Sequence, residues 1–504
     1  MAHEVVLDED HDRGTIDPRL FGSFVEHLGR CVYTGIYEPG HPTADAHGFR
    51  GDVQALVREL GVTLVRYPGG NFVSGYRWED GIGPSGDRPR RLDLAWRSIE
   101  TNQVGTDEFL GWAQRNALIP MMAVNLGTRG IQEAADLVEY CNTPAGTHWS
   151  DLRRRHGRAE PHGVPLWCLG NEMDGPWQTG HMSSERYGDL AAQAGKAMKL
   201  VDPTIELVAC GSSSHTMPTF GYWETDVLDR AWDVADYISM HAYYEEHDGD
   251  RRSFLASGAA MDEFIRGVAA TVDAVAARKH SRKRVAISFD EWNVWYQSRY
   301  EAAGLPEVDE AGPRIEDTYG ALDAVVVGDL LITLLNHADR VRIACLAQLV
   351  NVIAPIRTLP AGEAWRQTTF HPIATVAATA RGRSLVTRVT GPPVATRRHG
   401  DVPAVAAAAT RDPETGRIMT YLTNRAAEPA TVTLRHRGRR PLAVESCQVL
   451  VADSDGPRDR RAAPAFGFVP LDPATGPEPG TITVTLPPES WTVLAALGLP
   501  TRGT

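Results

Sequence analysis

Two stretches of this chain end an apolar, strand-like run on carboxylates beside an amide. Pro165-Leu-Trp-Cys-Leu-Gly-Asn-Glu172 closes on Asn171 and Glu172, and Val285-Ala-Ile-Ser-Phe-Asp-Glu-Trp-Asn293 carries Asp290, Glu291 and Asn293. Paired carboxylates of this kind suit the cleavage of an acetal. One carboxylic acid protonates the departing oxygen, while a second carboxylate attacks the anomeric carbon or activates water. Neither task calls for a metal or an organic cofactor, and none is expected. Asn171, next to Glu172, is suited to donate to a sugar hydroxyl.

Other strand ends supply further polar groups. Glu26 and His27 follow Phe24-Val25, and Arg66-Tyr-Pro-Gly-Gly-Asn71 ends another run. His241-Ala-Tyr-Tyr244 contributes an imidazole and Tyr243, and Gln348 and Asn351 lie at the last run. Taken singly, Arg66 reads equally well as the partner of a neighbouring acid and His241 as a core histidine. Taken together they form a ring of acids, amides and phenols, as a sugar's hydroxyls require. Trp78, Trp96, Trp177, Trp292 and Trp295 are candidates for flat apolar walls, although some of the 12 tryptophans must be plain core.

These residues need a scaffold. Eight β-rich runs, at 20–25, 62–67, 119–125, 165–169, 205–210, 237–241, 284–289 and 342–349, alternate with stretches of helical spacing. Val53, Leu56, Val57 and Leu60 follow the i, i+3, i+4, i+7 pattern, and 183–201 and 261–278 are similar. Thr106 and Ser183 offer helix-start chemistry. Eight such repeats predict an α/β fold, a (β/α)8 TIM barrel with its site at the C-terminal ends of the strands. An open, doubly wound sheet is the alternative. After residue 375 the texture changes to period-two alternation, as in Thr481-Ile-Thr-Val-Thr-Leu486, which predicts a C-terminal antiparallel β-sandwich. The expected organisation is 1–19 as an N-terminal strand contributing to the sandwich, 20–374 as the catalytic barrel and 375–504 as the sandwich.

Composition narrows the function classes. Lys plus Arg number 51 against 64 Asp plus Glu, a net charge of −13 that argues against a nucleic-acid or anionic-membrane partner. The most apolar stretch, 321–335, is interrupted by Asp323 and Asp329 and reads as a packed helix rather than a membrane span. The N-terminus lacks the pattern of a secretion signal. The six cysteines form no C-x-x-C pair and read as buried free thiols, which suggests a reducing cytoplasm. Gly81-Ile-Gly-Pro-Ser-Gly86 matches a dinucleotide fingerprint in letters only, since neither a strand nor a helix flanks it. The 17 histidines show no metal-ligand spacing, and Arg153-Arg-Arg-His-Gly-Arg158 reads as a solvated basic loop.

The motifs, in order, resemble those of the α-L-arabinofuranosidases of glycoside hydrolase family 51. The resemblance runs through Phe21-Gly-Ser-Phe-Val-Glu-His-Leu-Gly-Arg30, Arg66-Tyr-Pro-Gly-Gly-Asn-Phe72, Trp96-Arg-Ser-Ile-Glu-Thr-Asn-Gln103, Gly170-Asn-Glu172, His241-Ala-Tyr-Tyr244, Asp290-Glu-Trp-Asn293 and Gln348. It implies retaining hydrolysis, with Glu172 as acid/base and Glu291 as nucleophile, and thus Glu172 protonated while Glu291 is charged. The carboxyl groups would then lie ~5–5.5 Å apart. The resemblance places Glu26, Asn71, Asn171, Tyr243 and Gln348 around the arabinofuranose and Trp96 and Trp295 on the pocket wall. Arg66 joins them as a substrate-binding candidate. It further implies a metal-independent, intracellular homohexamer acting on arabinofuranoside-containing oligosaccharides. Loops 244–252 and 300–313 match no family motif and are candidates for setting linkage preference. The alternatives are another glycosidase on the same scaffold, such as a β-xylosidase or endoglucanase, and a carbohydrate-binding protein without catalysis.

Overall fold

The computed structural model describes residues 3–437, 442–452, 466–476, 478 and 481–498. The outer limits of the expected units, residues 1–2 and 499–504, lie outside the described residues.

All eight predicted runs become the strands of a closed parallel barrel, each hydrogen-bonded to the next in chain order. The strands are Gly22–Phe24, Leu64–Tyr67, Ile119–Ala123, Leu166–Leu169, Glu206–Ala209, Tyr237–Tyr244, Ala286–Val294 and Val341–Leu346. They are numbered here one to eight as barrel strands. Closure excludes the open-sheet alternative. The barrel is α/β because the intervening stretches carry helical spacing. Helix Gly51–Leu60 buries Val53, Leu56, Val57 and Leu60, and Gly61, in the left-handed region at φ 78°, ends it. Ser183 caps helix Ser184–Val201 by accepting from the Arg186 N–H. Thr106 is the first residue of helix Thr106–Arg115 rather than its cap, and the Glu108 carboxylate accepts from the Gly105 N–H instead.

The second unit is a ten-stranded sheet among the described residues, curled around its own apolar core of Val5, Leu7, Leu422, Val432, Val484 and Leu494, among others. Strand His3–Thr15 lies inside it, antiparallel to Arg383–Thr390 and parallel to Ala430–Arg437. That parallel pair departs from the fully antiparallel sandwich that alternation predicts, because a strand arriving from the far end of the chain is not constrained by a hairpin.

Helix Ala321–Asn336 joins the two units. Every residue from Leu322 to Leu335 is buried, since the barrel covers one side and the sheet the other. Its Asp329 is fully buried and accepts from Arg425 at 2.8–3.2 Å and from the Gly258 N–H at 3.1 Å. Burial at this depth is tolerable only because the charge is paired and hydrogen-bonded. No helix among the described residues is long and apolar enough to cross a membrane. The six cysteines are buried and free.

The basic run is a correction. It forms the end of helix His148–Arg155, and Arg153 is fully buried, donating to the carbonyls of Tyr140, Thr143, Pro144 and Arg158. A guanidinium with five donors can satisfy several chain-end carbonyls at once, which a charge count along the sequence does not reveal.

Candidate active site

The C-terminal ends of the strands meet around one polar cluster. Its centre is Arg66, at the end of strand two, 1% exposed. Arg66 donates from Nη1 to Glu291 Oε1 at 2.7 Å and from Nη2 to Asn171 Oδ1 at 2.6 Å, and its Nε lies 3.4 Å from Asp290 Oδ2. One planar guanidinium thus ties strands two, four and seven together. Asn171 is oriented from its other side, donating to Gln178 Oε1, while Gln178 donates to Ser74.

Strand seven owes this geometry to a bulge. Its pairing with strand six slips between Ser288 and Glu291, so Ser288 faces Ser239 while Glu291 faces His241. In a regular strand Asp290 and Glu291 would point to opposite faces. With the extra residue, both reach Arg66 and His241. Strand four ends differently: Gly170 (φ 91°) and Glu172 (φ 43°) turn the chain across the barrel mouth. A glutamate in the left-handed region is strained, and such strain concentrates at functional sites.

His241 sits between the carboxylates. Nδ1 lies 2.8 Å from Glu172 Oε1 and 3.7 Å from Glu291 Oε2, and Nε2 lies 3.2 Å from Asp290 Oδ1. Burial alone would lower its basicity, but Glu291, Asp290 and Glu172 together hold the imidazole well above its ordinary range. Both ring nitrogens therefore carry protons and donate. Asp290, despite burial, is held below the usual carboxylate range by Arg66 and His241. Tyr243 donates to Glu291 Oε2 at 2.6 Å, and burial with the Glu291 charge keeps its phenol protonated. One oxygen of Glu172, one of Glu291 and one His241 nitrogen lie within 4.8 Å of one another.

Glu26 completes the pocket from strand one. Its Oε1 accepts from the Phe72 N–H at 3.0 Å and from Trp96 Nε1 at 2.9 Å, and its Oε2 accepts from Gln348 Nε2 at 3.0 Å. Burial pushes its carboxyl up to about 8, with the Glu291 charge adding to the effect. At neutral pH Glu26 is thus mostly an uncharged donor and acceptor, the form that matches a hydroxyl. A Cβ built on Gly70 would stand 3.1 Å from Glu291 Oε1 and 3.5 Å from both Asn171 Nδ2 and Glu26 Oε2. Gly70 therefore keeps the space between the three side chains clear.

A consequence for stability follows. The unfolded chain releases the Glu26 proton near the ordinary value of 4.5, whereas the folded chain keeps it until about 8. The folded state binds more protons across that window, so the contribution of Glu26 falls as pH rises through it. Glu26→Gln removes this dependence, and Gln348, whose Oε1 has no hydrogen-bond partner among the described residues, can turn its amide to meet the new NH2. Thermal melts of wild type and Glu26→Gln at pH 5 and pH 8 are expected to diverge in the variant's favour at the higher pH. Parallel shifts would show that Glu26 is charged throughout.

The aromatic wall is partly as expected. Trp96, Tyr300, Trp295 and Tyr243 form a chain of ring contacts at 5.0–6.4 Å along one side of the pocket. Trp177, half exposed, donates to Glu172 Oε2 at 2.6 Å. Trp78 and Trp292 are not walls. Trp78 packs on Tyr140 and Trp149 and donates to the Glu133 carbonyl, and Trp292 is buried in the core. Asn71 is half buried at the start of the 3-10 turn Asn71–Gly75 and, among the described residues, makes no hydrogen bond into the cluster. Asn293 and Asn351 bond to backbone of neighbouring loops instead of facing the pocket. Glu26, Arg66, Trp96, Asn171, Glu172, Tyr243, Glu291, Trp295 and Gln348 are all brought together. Sequence reasoning assigned no role to Asp290, Gly70, Gln178 or Tyr300, and it left His241 unassigned between core and site.

A closed parallel barrel whose fourth and seventh strands face two carboxylates across one polar, aromatic-walled pocket is the architecture of a glycoside hydrolase. Residues 56–260 match the α-L-arabinofuranosidase 1 domain and residues 290–490 the α-L-arabinofuranosidase C-terminal domain. The chain belongs to the α-L-arabinofuranosidases of glycoside hydrolase family 51, enzymes that remove arabinofuranosyl residues. An exo-α-(1→6)-L-arabinofuranosidase of Bifidobacterium longum is 51% identical over 504 residues, covering 97% of this chain and 96% of that one. The intracellular exo-α-(1→5)-L-arabinofuranosidase of Streptomyces lividans is 59% identical over 398 residues, covering 78% of this chain but 60% of its own length. The solved structure of AbfB, a family 51 α-L-arabinofuranosidase from Bifidobacterium longum, superposes with a TM-score of 0.92 at 48% identity, covering 98% of this chain and 99% of that one.

Proposed function

We propose that the protein removes terminal non-reducing α-L-arabinofuranosyl residues from arabinose-containing oligosaccharides by double displacement through a covalent glycosyl-enzyme. One observation carries the reading: an oxygen of Glu172 lies within 4.8 Å of an oxygen of Glu291. That spacing suits direct attack by one carboxylate, whereas an inverting pair stands ~6.5–9.5 Å apart to admit water. Glu291, as carboxylate, attacks the anomeric carbon. Glu172 gives its proton to the departing oxygen, and the aglycone leaves as an alcohol. Glu172 then takes a proton from water as the water oxygen displaces Glu291, which restores both groups. Arg66 and Tyr243, each donating to Glu291, hold it in line and share its charge. Glu26, Asn71, Asn171 and Gln348 meet the sugar hydroxyls, with Trp96 and Trp295 against its apolar face.

The reading extends to a cytoplasmic enzyme, supported by the word intracellular in the name of the Streptomyces lividans relative and by six free thiols. It also extends to a barrel unit of 20–374 with a sheet unit of 1–19 and 375–504, and to a homohexamer, which rests on family resemblance and is read out by sedimentation.

The test is stereochemical. With p-nitrophenyl α-L-arabinofuranoside and methanol as acceptor, the expected product is methyl α-L-arabinofuranoside, identified by NMR. The β anomer would overturn the double displacement. Activity on an aryl β-xyloside or glucoside alone would overturn the substrate.

A further inference from the structure

The acid/base assigned to Glu172 above, on which this inference rests, has both oxygens occupied. Oε1 takes the His241 Nδ1–H at 2.8 Å and Oε2 the Trp177 Nε1–H at 2.6 Å. His241 is 2% exposed and pinned on its far side by Asp290, so Oε1 is the fixed oxygen. The proton that goes to the leaving group must therefore travel on Oε2. That is the oxygen the indole holds.

Trp177 is built to let go. It is 50% exposed, whereas the other groups on Glu172 are buried, and no ring-to-ring contact holds it among the described residues. Its indole fills the place a side chain on Gly175 would take, where a Cβ would stand 2.5 Å from Cε2 and 2.6 Å from Cζ2. The glycine is thus what allows the indole to reach Glu172. Gly175 is not in the left-handed region, so alanine is compatible with its backbone.

We infer that Trp177 is a displaceable latch on Glu172: its N–H and the leaving-group oxygen of the substrate compete for Oε2, and the arriving aglycone swings the indole away. Trp177 in this role is a positioning residue. It orients Glu172 until the aglycone takes its place and returns once the alcohol has left. Any ligand with an oxygen on the anomeric carbon must break the hydrogen bond, whereas 1,4-anhydro-L-arabinitol, the same ring without that oxygen, does not reach it.

Two variants separate the hydrogen bond from the ring. Trp177→Phe keeps an aromatic face but loses the N–H, and Gly175→Ala keeps the N–H but removes the room for the indole. Each is made on Glu291→Ala, so that binding is measured without turnover. Calorimetry is expected to show p-nitrophenyl α-L-arabinofuranoside binding roughly 3–10-fold more tightly in both, the size of one lost competing hydrogen bond. Affinity for 1,4-anhydro-L-arabinitol is expected to stay within about twofold, below that range. Unchanged affinity for the aryl glycoside, or an equal change for 1,4-anhydro-L-arabinitol, would overturn the latch. Hydrolysis by the Glu291-containing enzyme is assayed in parallel. If it cleaves no arabinofuranoside, the proposed function fails; if it cleaves normally while the affinities stay put, only the latch fails.

Discussion

Replacing Glu291 by alanine is expected to lower turnover of an aryl α-L-arabinofuranoside by about 10⁴-fold or more, since the group that forms the covalent intermediate is gone. The loss has two sources. The nucleophile is missing, and Arg66 and Tyr243 keep their donors aimed at an absent carboxylate. Deletion also opens a space beside the anomeric carbon, where azide can enter and attack the α-glycoside directly. The product is then the inverted β-L-arabinofuranosyl azide. Formation of the α-azide, or near-normal turnover without azide, would show that Glu291 is not the nucleophile.

Glu172→Ala is expected to behave differently with each leaving group. General acid assistance is worth about 10²–10⁴-fold, and poor leaving groups need it most. For a methyl or sugar aglycone the first step should slow by that order, whereas a dinitrophenyl aglycone leaves unaided and the glycosyl-enzyme accumulates. Azide, which needs no base, then attacks the intermediate from the side that water would have used and gives the retained α-azide. The two variants thus yield opposite anomers from one substrate. A Glu172→Ala enzyme slowed equally on both substrates, with no azide effect, would remove Glu172 from the acid/base role.

Much of this arrangement was legible in the chain because a parallel barrel puts its working residues where apolar runs stop. Glu26 and Asn171 are the first polar residues after such a run, Arg66 and Gln348 stand next to last in theirs, and the barrel brings all four to one end. Asp290 was harder. Strict alternation sends either Asp290 or Glu291 away from the pocket, and only the slip against strand six turns both inward. A bulge leaves no mark in composition or period. The tryptophans failed for another reason. Trp292 and Trp295 lie three positions apart near one strand end, yet Trp292 is buried in the core and Trp295 faces Tyr243. Side-chain direction, not distance along the chain, decides between the two. Tyr300 lies on the short helix Gln297–Ala303, outside every motif, and nothing in its neighbours announces that it extends the wall.

Helix Ala321–Asn336 has a consequence for how the protein comes apart. Cutting the chain after the barrel would leave that helix with an oily flank in water and Asp329 without Arg425, a defect worth about 3–5 kcal/mol. Strand His3–Thr15, sewn into the far sheet before the barrel begins, adds a second stitch. The two halves are therefore expected to melt in a single calorimetric transition, and neither is a cassette that can be lifted out and grafted elsewhere.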